Sequence, residues 1–219
     1  MASAWRAAIA GLLAVAAGAG AGGGGGGGGS YTVVWAGAPT PTAVRLAVRP
    51  RAASATLVVS TRRDLAAPLA THRVTRDEFI VDVEGLTPET QYYYGLAAEP
   101  AEAAEAAAAG GAGAAKFKTP SASPRKGFRV AVGSCGWSSG NGAVFANIAA
   151  LDPRPLVFIH AGDLHYRDIG EDSQPRFEDA FEGVHANEAA QLFQTVPVVY
   201  TWDDHDFGEV QCTPCPVRP

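Results

Sequence analysis

Val196-Pro197-Val198-Val199-Tyr200 runs directly into Thr201-Trp202-Asp203-Asp204-His205-Asp206. The first five residues read as a buried strand. The last four place three carboxylates and an imidazole at its end. Such groups repel one another, or lose hydration at high cost, unless cations hold them. A second polar strand end lies upstream, where Leu156 to Ile159 leads into His160-Ala161-Gly162-Asp163-Leu164-His165-Tyr166. Two such ends, side by side in space, read as a metal site.

The surrounding residues have α/β grammar. Phe128 to Val132 is an apolar strand entering Gly133-Ser134-Cys135-Gly136. Gly142 to Leu151 is expected to form a short helix with Val144, Phe145, Ile148 and Leu151 on one face. Phe177 to Phe193 has helical spacing through Phe177, Phe181, Val184 and Glu188 to Leu192. Strand, helix, strand, helix, strand predicts parallel pairing. Ligands of open α/β sheets sit beyond the carboxyl ends of the strands, and all three polar clusters fall there.

Those clusters offer ligands of several kinds. Asp163, leaving the strand after Gly162, can bridge two ions with its two oxygens. Tyr166 binds a metal well only as phenolate, which favours a hard trivalent ion. Cys135 adds a thiolate, and Asp203 a carboxylate from a third strand. Asp204 or Asp206 can serve a second ion or orient a ligand. Two close ions activate a water and screen phosphoryl oxygens, with His205 orienting a ligand or shuttling a proton. Asp163 and His205 are therefore the candidate catalytic residues. His160 is expected to be a hydrogen-bonded core histidine, and His165 a surface or supporting group. One alternative stays open: Gly133 to Gly136 as a nucleophile turn of a cysteine hydrolase, with Cys135 attacking and His205 and Asp203 as base and orienting acid.

The first half of the chain follows another pattern. Thr42 to Val48, Ala55 to Ser60, Phe79 to Val83, Gln91 to Leu96 and Lys116 to Thr119 read as short strands. Turns are expected at Pro39-Thr40-Pro41, Arg49-Pro50 and Gly85-Leu86-Thr87-Pro88. This spacing indicates an antiparallel sandwich. Gly85 to Tyr94 resembles the fibronectin type III turn, in which a leucine plugs the core and a tyrosine follows on the next strand. Residues 99–115 form a low-complexity Ala, Glu and Gly insertion, and 120–127 a Ser/Pro linker.

The 219 residues allow one or two domains, and the net charge of −5 argues against a nucleic-acid footprint. Residues 1–21 read as a signal peptide, with Arg6 before an apolar stretch too short to span a bilayer. Residues 22–30 are a Gly-rich tether. The protein is expected to be exported (secreted, cell-surface or periplasmic), monomeric, and without a transmembrane segment. Cys212-Thr213-Pro214-Cys215 has redox or zinc spacing without supporting residues, and a disulfide there would leave Cys135 free.

Phe128 to Cys135, Gly162-Asp163-Leu164-His165-Tyr166 and Trp202 to Gly208, in that order, resemble the PhoD-like alkaline phosphatases (alkaline phosphatase D family). The resemblance covers about Tyr31 to Gly208. It implies a fibronectin III-like β-sandwich over 31–119, followed by an α/β metallophosphoesterase domain over 128–210. It also implies hydrolysis of phosphomonoesters and phosphodiesters, so that small-molecule phosphate esters are the expected substrates. Cys135, Asp163 and Tyr166 match the family's Fe(III) ligands. Asp163 also matches the bridge to Ca(II), and Asp203 a further ligand. Without the resemblance, the residues imply a generic divalent metal pair.

After Gly208 the family has a nearby asparagine, whereas this chain reads Glu209-Val210-Gln211-Cys212. Residues 211–219 diverge, and the family's later half has no counterpart. The α/β part is therefore expected to be incomplete and poorly held, with its apolar strands short of a second covering layer. A secreted fibronectin-like module with an inactive phosphatase remnant is the corresponding alternative.

Overall fold

The computed structural model describes residues 31–97, 114–136, 142–186 and 189–208. The signal-peptide and tether readings lie outside these residues. So do most of the 99–115 insertion, Cys212 and Cys215, and the 211–219 tail.

Seven strands come first. They are β1 (Tyr31–Ala36), β2 (Ala43–Pro50), β3 (Ser54–Ser60), β4 (Ala70–Thr75), β5 (Ile80–Glu84), β6 (Gln91–Ala97) and β7 (Ala115–Lys118). They form two antiparallel sheets, ordered β1-β2-β5 and β4-β3-β6-β7. Alternation explains the core between them: Val34, Leu46, Leu57, Val59, Tyr94 and Phe117 point inward. Leu86 is buried, and Tyr92 Oη accepts the backbone N–H of Thr87 at 2.8 Å. This is a tyrosine corner, which pins the turn before β6.

Two strands were not anticipated. The edge strand β4 buries only Val74 among polar neighbours, and β1 lies at the start of the sandwich. Arg49-Pro50 is not a turn. It ends β2, and Arg49 is buried because it carries an ion-pair network described below.

The remaining elements are β8 (Val130–Gly133), α1 (Gly142–Ala150), β9 (Val157–His160), α2 (Gln174–Ala186), α3 (Ala190–Phe193), β10 (Val198–Tyr200) and α4 (Asp204–Phe207). β8, β9 and β10 form a parallel sheet in the order β10-β9-β8. The single long helix expected to end at Phe193 is instead two: α2 starts earlier, at Gln174, and stops at Ala186. In α1, Phe145 and Ala149 are buried, whereas Val144 is exposed, as is Leu151 just past the helix end, so the apolar face is narrower than the spacing implied.

One face of the parallel sheet packs on the helices through Phe158, Val198 and Tyr200, with Leu192 and Phe193 opposite. The other face carries Val130, Val132, Val157, Ile159 and Val199. Pairing sets Val130 beside Val157, Val132 beside Ile159, and Ile159 beside Val199. Nothing among the described residues buries Val132, which is 67% exposed. Parallel sheets are ordinarily covered on both faces.

The sandwich and the parallel sheet share packing. Trp35 of β1 meets the rings of His185, Phe193 and Tyr200 at centroid distances of 5.4, 5.9 and 6.3 Å. Arg49 donates from Nη2 to Glu178 Oε2 at 2.8 Å and from Nη1 to Glu182 Oε1 at 2.9 Å. Its Nε donates to the carbonyl of Arg76 at 3.0 Å. Its side chain is 5% exposed, so this is a buried charge met on every side. No helix among the described residues is long and apolar enough to cross a membrane.

Candidate metal centre

Three loops leave the carboxyl ends of adjacent parallel strands and are tied by main-chain hydrogen bonds. Ala161 N–H donates to Gly133 O at 2.8 Å, Cys135 N–H to Gly162 O at 3.0 Å, and Gly136 N–H to Asp163 O at 2.8 Å. Thr201 N–H donates to His160 O at 3.1 Å, which draws in the third loop. The tight path requires left-handed backbone at Cys135 (φ +58°), Gly162 (+103°) and Asp163 (+56°). Only glycine adopts this freely, and non-glycine residues held there concentrate at functional sites. At Gly162 the space is closed as well, since a Cβ would sit 2.4 Å from Asp203 Cβ.

Asp163 is the centre of the arrangement and is 7% exposed. Its Oδ2 lies 3.5 Å from Cys135 Sγ and 3.3 Å from Tyr166 Oη, both positioned to donate. Its Oδ1 is buried without a hydrogen-bond partner among the described residues. Ligand atoms of Asp163, Asp204 and His205 all lie within 4.8 Å of one another. A buried carboxylate with one orphaned oxygen, a thiol and a phenol at its other oxygen, and a second carboxylate and an imidazole within reach fits a cation. Desolvation is the main force raising the Tyr166 phenol pKa, with Cys135 and Asp163 adding to it.

Asp203 caps α4, its Oδ1 accepting the Asp204 N–H at 2.9 Å. Asp206 is fully buried. It accepts the N–H groups of Asp163 (2.7 Å), Leu164 (2.9 Å) and Asp203 (3.1 Å). Its charge is met by donors, and its work is to hold the Asp163 turn. Asp168, to which sequence reasoning assigned no role, lies 2.5 Å from His205 Nδ1 through Oδ1. That contact raises the His205 pKa. His205 also leans on Tyr166, with ring centroids 4.2 Å apart. Asp168 shares the loop of Tyr166, but no spacing rule marks it, because its backbone turns left-handed (φ +46°) to reach the imidazole.

His160 departs from expectation, and for His165 the surface option is removed while the supporting one stands. His160 is buried against Phe158 and Tyr200, and neither ring nitrogen has a hydrogen-bond partner among the described residues. His165 is buried rather than at the surface, edge-on to Phe181, and its nitrogens are likewise unmatched. Burial lowers both pKa values, partly offset by Asp206. The cysteine-hydrolase arrangement gains no support: Cys135 Sγ faces the Asp163 carboxylate, and His205 Nδ1 is engaged by Asp168.

No protein-family profile matches the chain, and no curated protein matches it. Among solved structures, it is similar to "Structure of PhoD", with a TM-score of 0.60 and 17% identity over 84% of this chain and 40% of that one. It is also similar to purple acid phosphatase PPD1 from yellow lupin (Lupinus luteus) seeds. There the TM-score is 0.50 and the identity 12%, over 78% of this chain and 35% of that one. The chain thus spans less than half the length of either protein, and over that span its fold is similar to theirs.

Proposed function

We propose that the chain carries the metal-binding part of a PhoD-like phosphoesterase, which hydrolyses phosphomonoesters or phosphodiesters with metal-activated water. One observation carries this reading. Asp163 is buried with an unmatched oxygen, and Cys135, Tyr166, Asp204 and His205 gather around it. In this reading Cys135, Asp163 and Tyr166 would hold iron(III), Asp163 would also serve calcium, and Asp203 and Asp204 would complete the set. When bound, the ions lower the pKa of a water and screen phosphoryl oxygens. The protein's own residues prepare the site. Asp206 fixes the Asp163 backbone, and Asp168 keeps a proton on His205 for a leaving-group oxygen. Export, read from residues 1–21, is part of the same proposal.

The test combines metal content with turnover. The purified chain is expected to retain iron, and the Asp163→Asn variant to lose it. Hydrolysis of p-nitrophenyl phosphate and its bis ester would be metal-dependent and lost in the same variant. Retention of iron by the Asp163→Asn protein would overturn the ligand assignment. The valine face left open by the described residues favours a second reading, in which the chain binds metal without turnover. Stoichiometric iron with no hydrolysis of either ester would select it.

A further inference from the structure

The opposite end of the parallel sheet carries a second recess. A groove of about 870 Å³ lies between the sandwich and the residues entering β8, β9 and β10. Its floor includes Arg129, Leu156 and Pro197, each next to the first residue of one of these strands or just inside the preceding turn. It is therefore remote from the Asp163 cluster, which occupies the strands' carboxyl ends.

The charge of the groove runs against that of the protein. Lys118, Lys126, Arg129 and Arg154 line it, opposed by Glu89 and Asp152, in a chain whose net charge is −5. Lys126 pairs with Glu89. The two arginines are anchored differently. Arg129 Nη1 donates to the carbonyls of Asp152 (3.1 Å) and Pro153 (3.4 Å), and Arg154 Nε donates to the carbonyl of Ala149 (3.1 Å). Carbonyls orient a guanidinium without neutralising it, and its free edge is left ready for a carboxylate. Neither arginine makes an ion pair among the described residues. Crowding extends to nearby Lys116, whose pKa falls through burial first and then through Arg154 and Arg63.

We propose that this groove binds an acidic, extended peptide segment of a partner protein. Carboxylates of the segment pair with Arg129, Arg154 and Lys118. Its apolar side chains cover the prolines of the wall and Phe128, which is 66% exposed. A nucleic acid fits less well, because Glu89 and Asp152 interrupt the cations that line the groove.

The test uses the full chain and fluorescence anisotropy of a fluorescein-labelled oligopeptide of alternating glutamate and leucine, with chelator present so that the metal cluster plays no part. Saturable binding is expected, weakened by salt and weakened about tenfold or more in the Arg129→Ser/Arg154→Ser variant. The exposed Lys118→Glu variant should weaken it too, which guards against a folding defect in the arginine variant. The proposal fails if the peptide does not saturate, or if both folded variants bind as well as the parent. It also fails if labelled oligothymidylate binds more tightly, or if inorganic phosphate at equal ionic strength competes better than unlabelled peptide.

Discussion

The carboxylate of Asp206 accepts the backbone N–H of Asp163 at 2.7 Å, linking the end of β10 to the end of β9. The same buried carboxylate accepts two further N–H groups, from Leu164 and Asp203. Asp206→Ala would leave three donors without their acceptor, at about 1–3 kcal/mol for each that stays buried. Urea denaturation is expected to show a loss of at least about 3 kcal/mol, with metal retention falling in parallel. A variant as stable as the parent would mean that water replaces the carboxylate and that Asp206 does not position Asp163.

Gly162→Ala is expected to separate the second and third strand ends. The new Cβ would meet Asp203 Cβ at 2.4 Å, in a backbone conformation that already disfavours a side chain. The loss should exceed the roughly 1 kcal/mol of the conformational penalty alone. Thermal melting of this variant beside Gly170→Ala, where a Cβ would have open space, checks the comparison.

Arg49 is met by Glu178 and Glu182 in a buried network. Arg49→Met is expected to cost about 3 kcal/mol, because two carboxylates lose their counter-charge near an apolar interface. Adding Glu178→Gln and Glu182→Gln should recover much of that loss. An equal or larger loss in the triple variant would assign the effect to the packing of the Arg49 stem instead.

Stability should fall in mild acid. Burial drives the His185 pKa down to about 3, beneath Trp35 and Phe193. The folded state holds this ring neutral, while the unfolded chain takes up a proton near 6.5. The contribution is therefore complete above about pH 6.5 and shrinks as pH drops toward 3, by up to about 1.4 kcal/mol per pH unit. His160 and His165 shift in the same direction. His205, raised by Asp168, acts in the opposite sense, its part fading as pH rises through its folded pKa. Urea titrations between pH 7 and 5 check the slope, and His185→Phe should flatten it.

The face of β8, β9 and β10 that the described residues leave open should bind hydrophobic dyes in the native state. Anilinonaphthalene sulfonate fluorescence is expected to exceed that of a typical folded globular control and to drop in Val130→Thr/Val132→Thr. Unchanged emission in that variant would mean that the dye reports another surface.

The parallel strands were legible because Val130 to Val132, Leu156 to Ile159 and Val196 to Tyr200 are short apolar runs that each end in polar residues. β4 was not, because Ala70–Thr75 at a sheet edge alternates polar groups with a single buried valine. At the candidate site, the convergence of Cys135, Asp163 and Tyr166 was readable as chemistry at strand ends. The roles of Asp206 and Asp168 were not. Each acts through a contact of long sequence separation, Asp206 with the main chain of Asp163 and Asp168 with the ring of His205, and residue type alone does not encode either. Arg49 misled for a related reason: an Arg-Pro pair looks like a turn until two glutamates of a distant helix claim the guanidinium.

That claim bears on how the protein can be dissected. A fragment beginning in the connection at 120–127 would bring Glu178 and Glu182 without their cation and Tyr200 without the indole beneath it. The opposite fragment would keep Trp35 with no aromatic seat. Shortened versions cut there should each be less soluble than the parent, so work on either half calls for the uncut polypeptide.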